Sequence, residues 1–304
     1  MTFSEVIMKE AYLPLSVIPL TEPRLNPIFT LSYKEHAMKY FNDKHYTLRQ
    51  SLQLYKNVEP LVQLLDPMTG QVLIECGAHT QGIEIRQELS RNTRQIFDGL
   101  PGAMARMSRD GKGDPNANIA LTKQLLTYKP TPHITPFDFA SWMWRVTGIS
   151  KSCMTQLDRT RIGASFVQQS GRYMDRSQSG FVYNTYNYLE ADEATKKLRR
   201  RAAIFEALSE EYADDIESAN DRKEAEKADS SIPKISKYLL EDARDILPVK
   251  QATASHIMFN STALRRLFTT RLHKAAESEI YRLMGYIHLI CDYVAPSHFA
   301  DINN

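Results

Sequence analysis

The chain has 304 residues, 42% hydrophobic and 24% charged, a globular composition that excludes a disordered or fibrous protein. Its 38 Lys and Arg nearly balance 36 Asp and Glu, so nothing points to a general nucleic-acid or membrane-surface binder, and any anionic ligand must be held by a local cluster. No apolar run reaches the roughly 18 to 20 residues that span a bilayer, and no basic leader precedes the first apolar stretch, which predicts a cytoplasmic protein with no membrane partner.

Residues 1–69 carry several prolines among short apolar runs and read as an N-terminal extension of short elements, without chemistry of its own. GQVLIECGA at 70–78 reads as a strand, and 80–100 as a helix ending before Pro101 and Gly102. A polar loop, 108–118, leads into a second helical stretch; its GKGD lacks the preceding strand and following GK[ST] of a P-loop. FASWMWRV at 139–146 reads as a strand, and Ser150 is placed to cap a helix whose apolar positions are Ile149, Cys153, Met154 and Leu157. The charged segment near 190–230 reads as a solvated helical insertion with an apolar stripe at Leu198, Ala202, Phe205 and Leu208. A helix over 234–246 stops before Pro248, and 261–294 keeps Ala276, Ile280, Leu283, Ile287, Ile290 and Val294 on one face. The pattern is α+β and helix-rich with few strands, and shows no internal repeat.

Cys76, Cys153 and Cys291 have neither CxxC nor Cys/His ligand spacing, and the eight histidines lack HxxxH or HExxH, so buried thiols and no bound metal are expected. Chemistry concentrates in QLDRTRIGASFVQQSGRYMD at 156–175. Arg159, Arg161 and Arg172 lie close in sequence to Ser165, Ser170, Tyr173 and the amides of Gly163 and Gly171, a donor set suited to phosphate. Arg244 and Arg271 add cations on helices that read as half-buried.

These residues resemble the flavin-dependent thymidylate synthases, whose hallmark is an Arg-His-Arg triplet followed by a serine and Gly-Arg-Tyr. Here the triplet is Arg159-Thr160-Arg161, and Ser170-Gly171-Arg172-Tyr173 is intact. His133-Ile134-Thr135-Pro136-Phe137-Asp138 resembles the family's His-x-Thr-Pro-Phe-Glu segment, and 103–110 resembles, more weakly, its Ala-Arg-Val-Ser segment. Glu241 to Arg244 with Leu247-Pro248 resembles its Glu-x-Ala-Arg-x-x-Leu-Pro helix. Asn260 precedes Arg271 at the family's spacing, and Glu279-Ile280 closes that motif. The resemblance runs in order over roughly 70–294. It implies a catalytic domain over 70–304, with a small twisted, mostly antiparallel sheet flanked by long helices.

The resemblance also implies transfer of a one-carbon unit from methylenetetrahydrofolate to C5 of dUMP, with FAD supplying the hydride, NADPH reducing the flavin and no cysteine nucleophile. Gln156, Arg159, Gln168, Ser170, Gly171, Arg172, Arg244 and Arg271 would hold the deoxypyrimidine monophosphate, Ser170 and Arg271 being catalytic. Arg271 would stabilise charge developing on the ring. His133, Thr135, Arg159, Thr160, Arg161, Ile162 and Asn260 would contact FAD, with His133 also near the folate. The family assembles as a homotetramer with sites where subunits meet, and the same is expected here.

Four positions depart from the family. Thr160 replaces the triplet histidine, an extra residue lengthens the glycine-bearing stretch between Arg161 and Ser170, Gln168 replaces a glutamate, and Ala275 replaces a histidine. All fall among ligand-facing positions, which keeps open a related enzyme that hydroxymethylates or hydroxylates C5 of dUMP or dCMP. A nucleic-acid-binding or scaffolding homologue with a decayed site is the non-enzyme alternative.

Overall fold

The computed structural model describes residues 44–80, 82–109, 111–170, 175–186, 188–273 and 275–302. The elements, in order, are α1 Lys44–Ser51, β1 Leu61–Leu65, β2 Val72–Gly77, β3 Gly82–Ile85, α2 Arg91–Asp98, α3 Leu100–Met107, α4 Pro115–Thr127, β4 Ser141–Ser150, α5 Lys151–Leu157 and β5 Ala164–Gln168. There follow α6 Ala191–Ala228, α7 Ser236–Ala243, β6 Ala252–Asn260, α8 Ser261–Arg271 and α9 Ser278–Val294. Short 3-10 turns cover Thr135–Phe139, Arg244–Ile246 and Pro296–Phe299.

The six strands form one sheet in the order β3-β2-β1-β4-β6-β5, every named pair antiparallel. This is the expected α+β class. β4 and β6 make the long central pair. On β4, Trp142, Trp144 and Val146 point into the core while Met143, Arg145 and Thr147 alternate to the other face, as period-2 pleating requires. The inward face packs on α9, whose Ile280, Leu283, Met284, Ile287 and Ile290 are wholly buried, and on α5 and α8. Each such side chain contributes about 1.5 to 3 kcal/mol of burial. A second cluster joins Phe181, Tyr183, Leu198 and Phe205, and a third joins Tyr212, Ile216 and Ala243, so α6 is anchored at two levels.

Several expectations change. Residues 61–65, assigned by sequence to the extension, supply β1 between β2 and β4. The helix read over 80–100 is instead β3 and then α2, because residues 82–85 pair with the edge of β2 and tertiary pairing overrides local propensity. Pro101 and Gly102 open α3 rather than close a helix; a Cβ on Gly102 would lie 2.1 Å from the Asn118 carbonyl oxygen, which is why α3 and α4 can approach there. The segment 261–294 is two helices separated by 272–277. On α6 the buried stripe runs from Leu198 and Phe205 to Ser209, Tyr212 and Ile216, leaving Leu208 half-buried. The Ser150 cap is as expected: its hydroxyl accepts from the Cys153 amide at 3.0 Å.

Candidate functional site

Two groups of the residues singled out by sequence gather at opposite ends of β5 and β6. At the first end, β4 begins opposite the end of β6, with Ser141 paired to Asn260, and β5 begins at Ala164 opposite Phe259. Asn260 caps α8 by accepting from the Ala263 amide at 2.8 Å, and its amide donates to Asp138 at 3.1 Å. Its backbone N–H donates to the Gly163 carbonyl at 2.8 Å. Gly163 sits at φ +72°, and a Cβ there would lie 2.3 Å from Asn260 Oδ1, so both conformation and space require glycine. Beside it Arg161 and Ile162 are exposed, Ile162 to 80%, and Thr160 is half-buried. Thr135 opens the 3-10 turn that carries Asp138, and the exposed His133 is held through its backbone N–H to the Leu125 carbonyl at 2.9 Å. This end therefore brings together Thr135, Thr160, Arg161, Ile162 and Asn260.

The second end is where β4 finishes, β6 starts and β5 stops. Gln168 pairs with Ser255 and its amide lies 3.4 Å from Thr253 Oγ1. Ser170 follows, half-buried. Gly171, Arg172 and Tyr173 lie outside the described residues. Gln156 donates its side-chain amide to Glu277, which also holds Lys250 at 2.8 Å. Lys250 in turn reaches Glu279 at 2.9 Å, and Glu279 accepts from the Ser150 amide and hydroxyl at 2.6 and 2.7 Å. Burial opposes the charge on Lys250, but the Glu279 and Glu277 carboxylates outweigh it and raise its pKa. Arg271 ends α8, close enough to affect the Cys153 thiol electrostatically, and its Nε is buried without a hydrogen-bond partner among the described residues. Arg244 follows α7 and meets Asp245 only at 3.9 Å. Arg159, exposed at the turn after α5, lies in the connection between the two ends. Ala275 is exposed, its amide donating to His273 Nδ1 at 3.2 Å.

Two residues without a motif also belong to the second end. Arg176 is buried, and its guanidinium donates to the carbonyls of Ala252 and Gln169, each at 3.0 Å, while its backbone N–H donates to the Tyr212 hydroxyl at 3.0 Å. It thereby ties together the two ends of the segment carrying Ser170. Lys151, the first residue of α5, is half-buried; burial and then the Arg176 and Arg244 charges hold its pKa below that of an ordinary lysine. No spacing rule flags either; only the density of basic residues around 145–176 hinted at them.

The three thiols are buried. Burial pushes Cys76 up to about 12 and raises Cys153 and Cys291 well above the ordinary range, so none is a thiolate nucleophile at neutral pH. Among the described residues no group of three His, Cys, Asp or Glu stands close enough to hold a metal, and no helix is long and apolar enough to cross a membrane.

The described residues thus form an antiparallel α+β scaffold with arginine and amide side chains at both ends of an edge strand. The family model described as thymidylate synthase complementing protein matches residues 86–297. The chain is 31% identical over 169 residues to a flavin-dependent thymidylate synthase of Nitratidesulfovibrio vulgaris, 55% of this chain and 62% of that protein. It is 30% identical over 176 residues to one of Clostridium tetani, 55% and 64%. With one of Mycobacteroides abscessus it shares 28% identity over 200 residues, 62% and 73%. The chain belongs to the flavin-dependent thymidylate synthase family, and it spans somewhat under two thirds of the length of the first two relatives.

Proposed function

We propose that the protein is an enzyme that methylates C5 of dUMP to give dTMP, using FAD, NADPH and methylenetetrahydrofolate, and that it works as a homotetramer. The observation that carries the reading is Arg271, at the end of α8 and close enough to act on Cys153 electrostatically: its Nε is buried with no hydrogen-bond partner among the described residues. An unsatisfied buried donor is costly, and a pyrimidine carbonyl would satisfy it. Arg271 then stabilises negative charge on the ring as C5 becomes nucleophilic, while Gln168, Ser170, Arg172 and Arg244 orient the nucleotide.

The exposed Arg161, His133 and Thr135, with the half-buried Asn260, fit the polar and pyrophosphate parts of a flavin dinucleotide, with Arg159 and the Ile162 backbone nearby in sequence. Reduced flavin, when bound, supplies the hydride that completes the methyl group. The buried, protonated thiols favour this chemistry over covalent activation by cysteine.

Thr160 and Gln168 favour a second reading. A small hydroxyl in place of a histidine, and an amide that donates where a carboxylate only accepts, alter the surroundings of the transferred carbon, so that hydroxymethylation or hydroxylation of dUMP or dCMP is the alternative outcome. Protein incubated with FAD, NADPH and methylenetetrahydrofolate, with dUMP or dCMP supplied separately, is read by product mass. A methyl gain on dUMP supports the first reading, and an oxygen-bearing product or reaction of dCMP alone supports the second. Retained flavin with no product from either base would overturn both.

A further inference from the structure

Arg282, in the second turn of α9, is 5% exposed and has no hydrogen bond or ion pair with any described residue. Its guanidinium carbon lies 3.2 Å from the ring centroid of Tyr46 in α1, a contact that favours the charge but gives its N–H groups no lone pair. Burial opposes that charge, and the Arg49 guanidinium opposes it more than the Glu59 carboxylate relieves it.

Arg282 lines a cavity of ≈ 10 Å³ whose other walls include Arg49, Glu59, Thr185, Ser278 and Glu279. Arg49 and Thr185 are buried as deeply as Arg282, at 4% and 2% exposure. The two terminal nitrogens of Arg49 donate to the Tyr183 carbonyl and to Glu59, which leaves its Nε buried without a partner among the described residues. Thr185 Oγ1 is buried without one as well. Neither wall carboxylate is free to answer these groups. Glu59 accepts from Arg49 through both oxygens and from the Tyr46 hydroxyl at 3.3 Å, and Glu279 accepts from Ser150 and Lys250. Ser278, the first residue of α9, brings the positive end of a 17-residue helix to the same space.

The unsatisfied guanidinium groups on these walls are all donors, and the Thr185 hydroxyl can donate too. One N–H on Arg49 Nε and two on Arg282 Nη1 already exceed the two lone pairs of a water molecule. A monatomic anion accepts from all of them and supplies the counter-charge that Arg282 lacks. The cavity has room for about one particle of water size, which excludes phosphate and nucleotides.

We propose that this cavity is a binding site for a small inorganic anion, chloride in ordinary salt, held by Arg49, Thr185 and Arg282, and that the bound ion locks α1 and the segment around Thr185 onto the first turns of α9. The site is independent of the nucleotide reading, since none of its three donors belongs to the sets assigned to substrate or flavin.

Thermal unfolding of the full chain, with sodium chloride exchanged for sodium gluconate at constant ionic strength, tests this for the wild type, Arg282→Met and Thr185→Val. Gluconate is too large for the cavity, so the ligand is withdrawn while screening is held fixed. The wild-type Tm should rise saturably by roughly 2 to 5 °C between no chloride and about 0.3 M, and bromide should replace chloride. Arg282→Met should lose the rise, and Thr185→Val should keep a weaker one. A wild-type Tm indifferent to chloride would overturn the proposal and leave water as the occupant. A rise undiminished in Arg282→Met would overturn it by placing the ion elsewhere. Should Arg282→Met fail to fold, wild-type crystals soaked in bromide decide: an anomalous peak bounded by Arg49, Thr185 and Arg282 supports the site, and no peak in this cavity overturns it.

Discussion

Gly163 and His298 show how single residues set this fold's tolerances. Gly163→Ala must place a methyl group against Asn260 Oδ1 and hold a left-handed backbone, so it breaks the cap on α8 as well as straining the turn. With about 1 to 2 kcal/mol for the backbone and about 1 for the cap, a loss of roughly 2 to 3 kcal/mol is expected in urea denaturation. A loss below 0.5 kcal/mol would mean Asn260 moves freely. His298 ends a buried chain: Trp142 Nε1 donates to Ser261 Oγ at 2.8 Å, Ser261 meets His298 Nδ1 at 2.9 Å, and His298 Nε2 meets the Phe97 carbonyl at 3.0 Å. A carbonyl only accepts, so the proton is on Nε2 and Nδ1 takes the serine hydroxyl. Burial, with Arg265 nearby, pushes the His298 pKa down to about 3. The unfolded chain therefore binds the extra proton first, and stability is lost as pH falls from about 6.5 to 3, by up to roughly 4 to 5 kcal/mol. Asp98, whose pKa burial raises, acts with the opposite sign and offsets part of this at the acid end. Chemical denaturation from pH 7 to 4 should show a shallower fall for His298→Asn than for the wild type; parallel curves would exclude His298 as the source.

At the scale of elements, what the sequence makes legible follows from how each segment is buried. β2 and β4 could be read because their inward positions are apolar or aromatic, and α6 because its stripe is long. β6 was hidden because its inward positions include Thr253 and Ser255, which weaken the alternation, and β5 because it is a five-residue edge strand with exposed Val167. The break between α8 and α9 falls in HKAAES, residues that favour helix, so propensity gave no warning. Tertiary contacts made by Glu277 and Glu279 accompany it: both carboxylates bind Lys250, and Glu279 also holds the N-cap of α5. The motif residues proposed for the site come from spacing, whereas spacing gives no signal for Lys151 and Arg176: Arg176 bonds to backbone carbonyls, and Lys151 is set by burial and by charges distant in sequence. Glu279→Ala leaves Lys250 half-compensated and strips two donors at Ser150, so it should cost about 3 to 5 kcal/mol. In Lys250→Met the same substitution should cost measurably less, because the buried cation is gone. Additive losses in that double-mutant cycle would show that Lys250 and Glu279 do not stabilise each other.

For the whole molecule, the spacing of the two candidate groups is the informative quantity. Gly163, Asn260 and Arg161 stand at one end of β5, and Gln168 and Ser170 at the other, about 14 Å along a strand of five residues. α8 likewise carries Asn260 at its start and Arg271 at its end, 11 helical residues away. Met143, Arg145, His256, Met258 and Val167 meanwhile leave the outer face of the sheet partly open. If flavin and nucleotide must touch, a single copy that holds them at opposite ends needs a second copy to bring the ends together. Arg161→Ala and Arg271→Ala should then each be inactive alone, the latter keeping its flavin absorbance. Mixed in equal amounts and allowed to exchange subunits, they should recover about a quarter of wild-type activity, the fraction of sites that draw an intact end from each chain. If native mass spectrometry shows mixed assemblies and activity stays at zero, each chain builds its own site, and the two ends must be bridged within one copy.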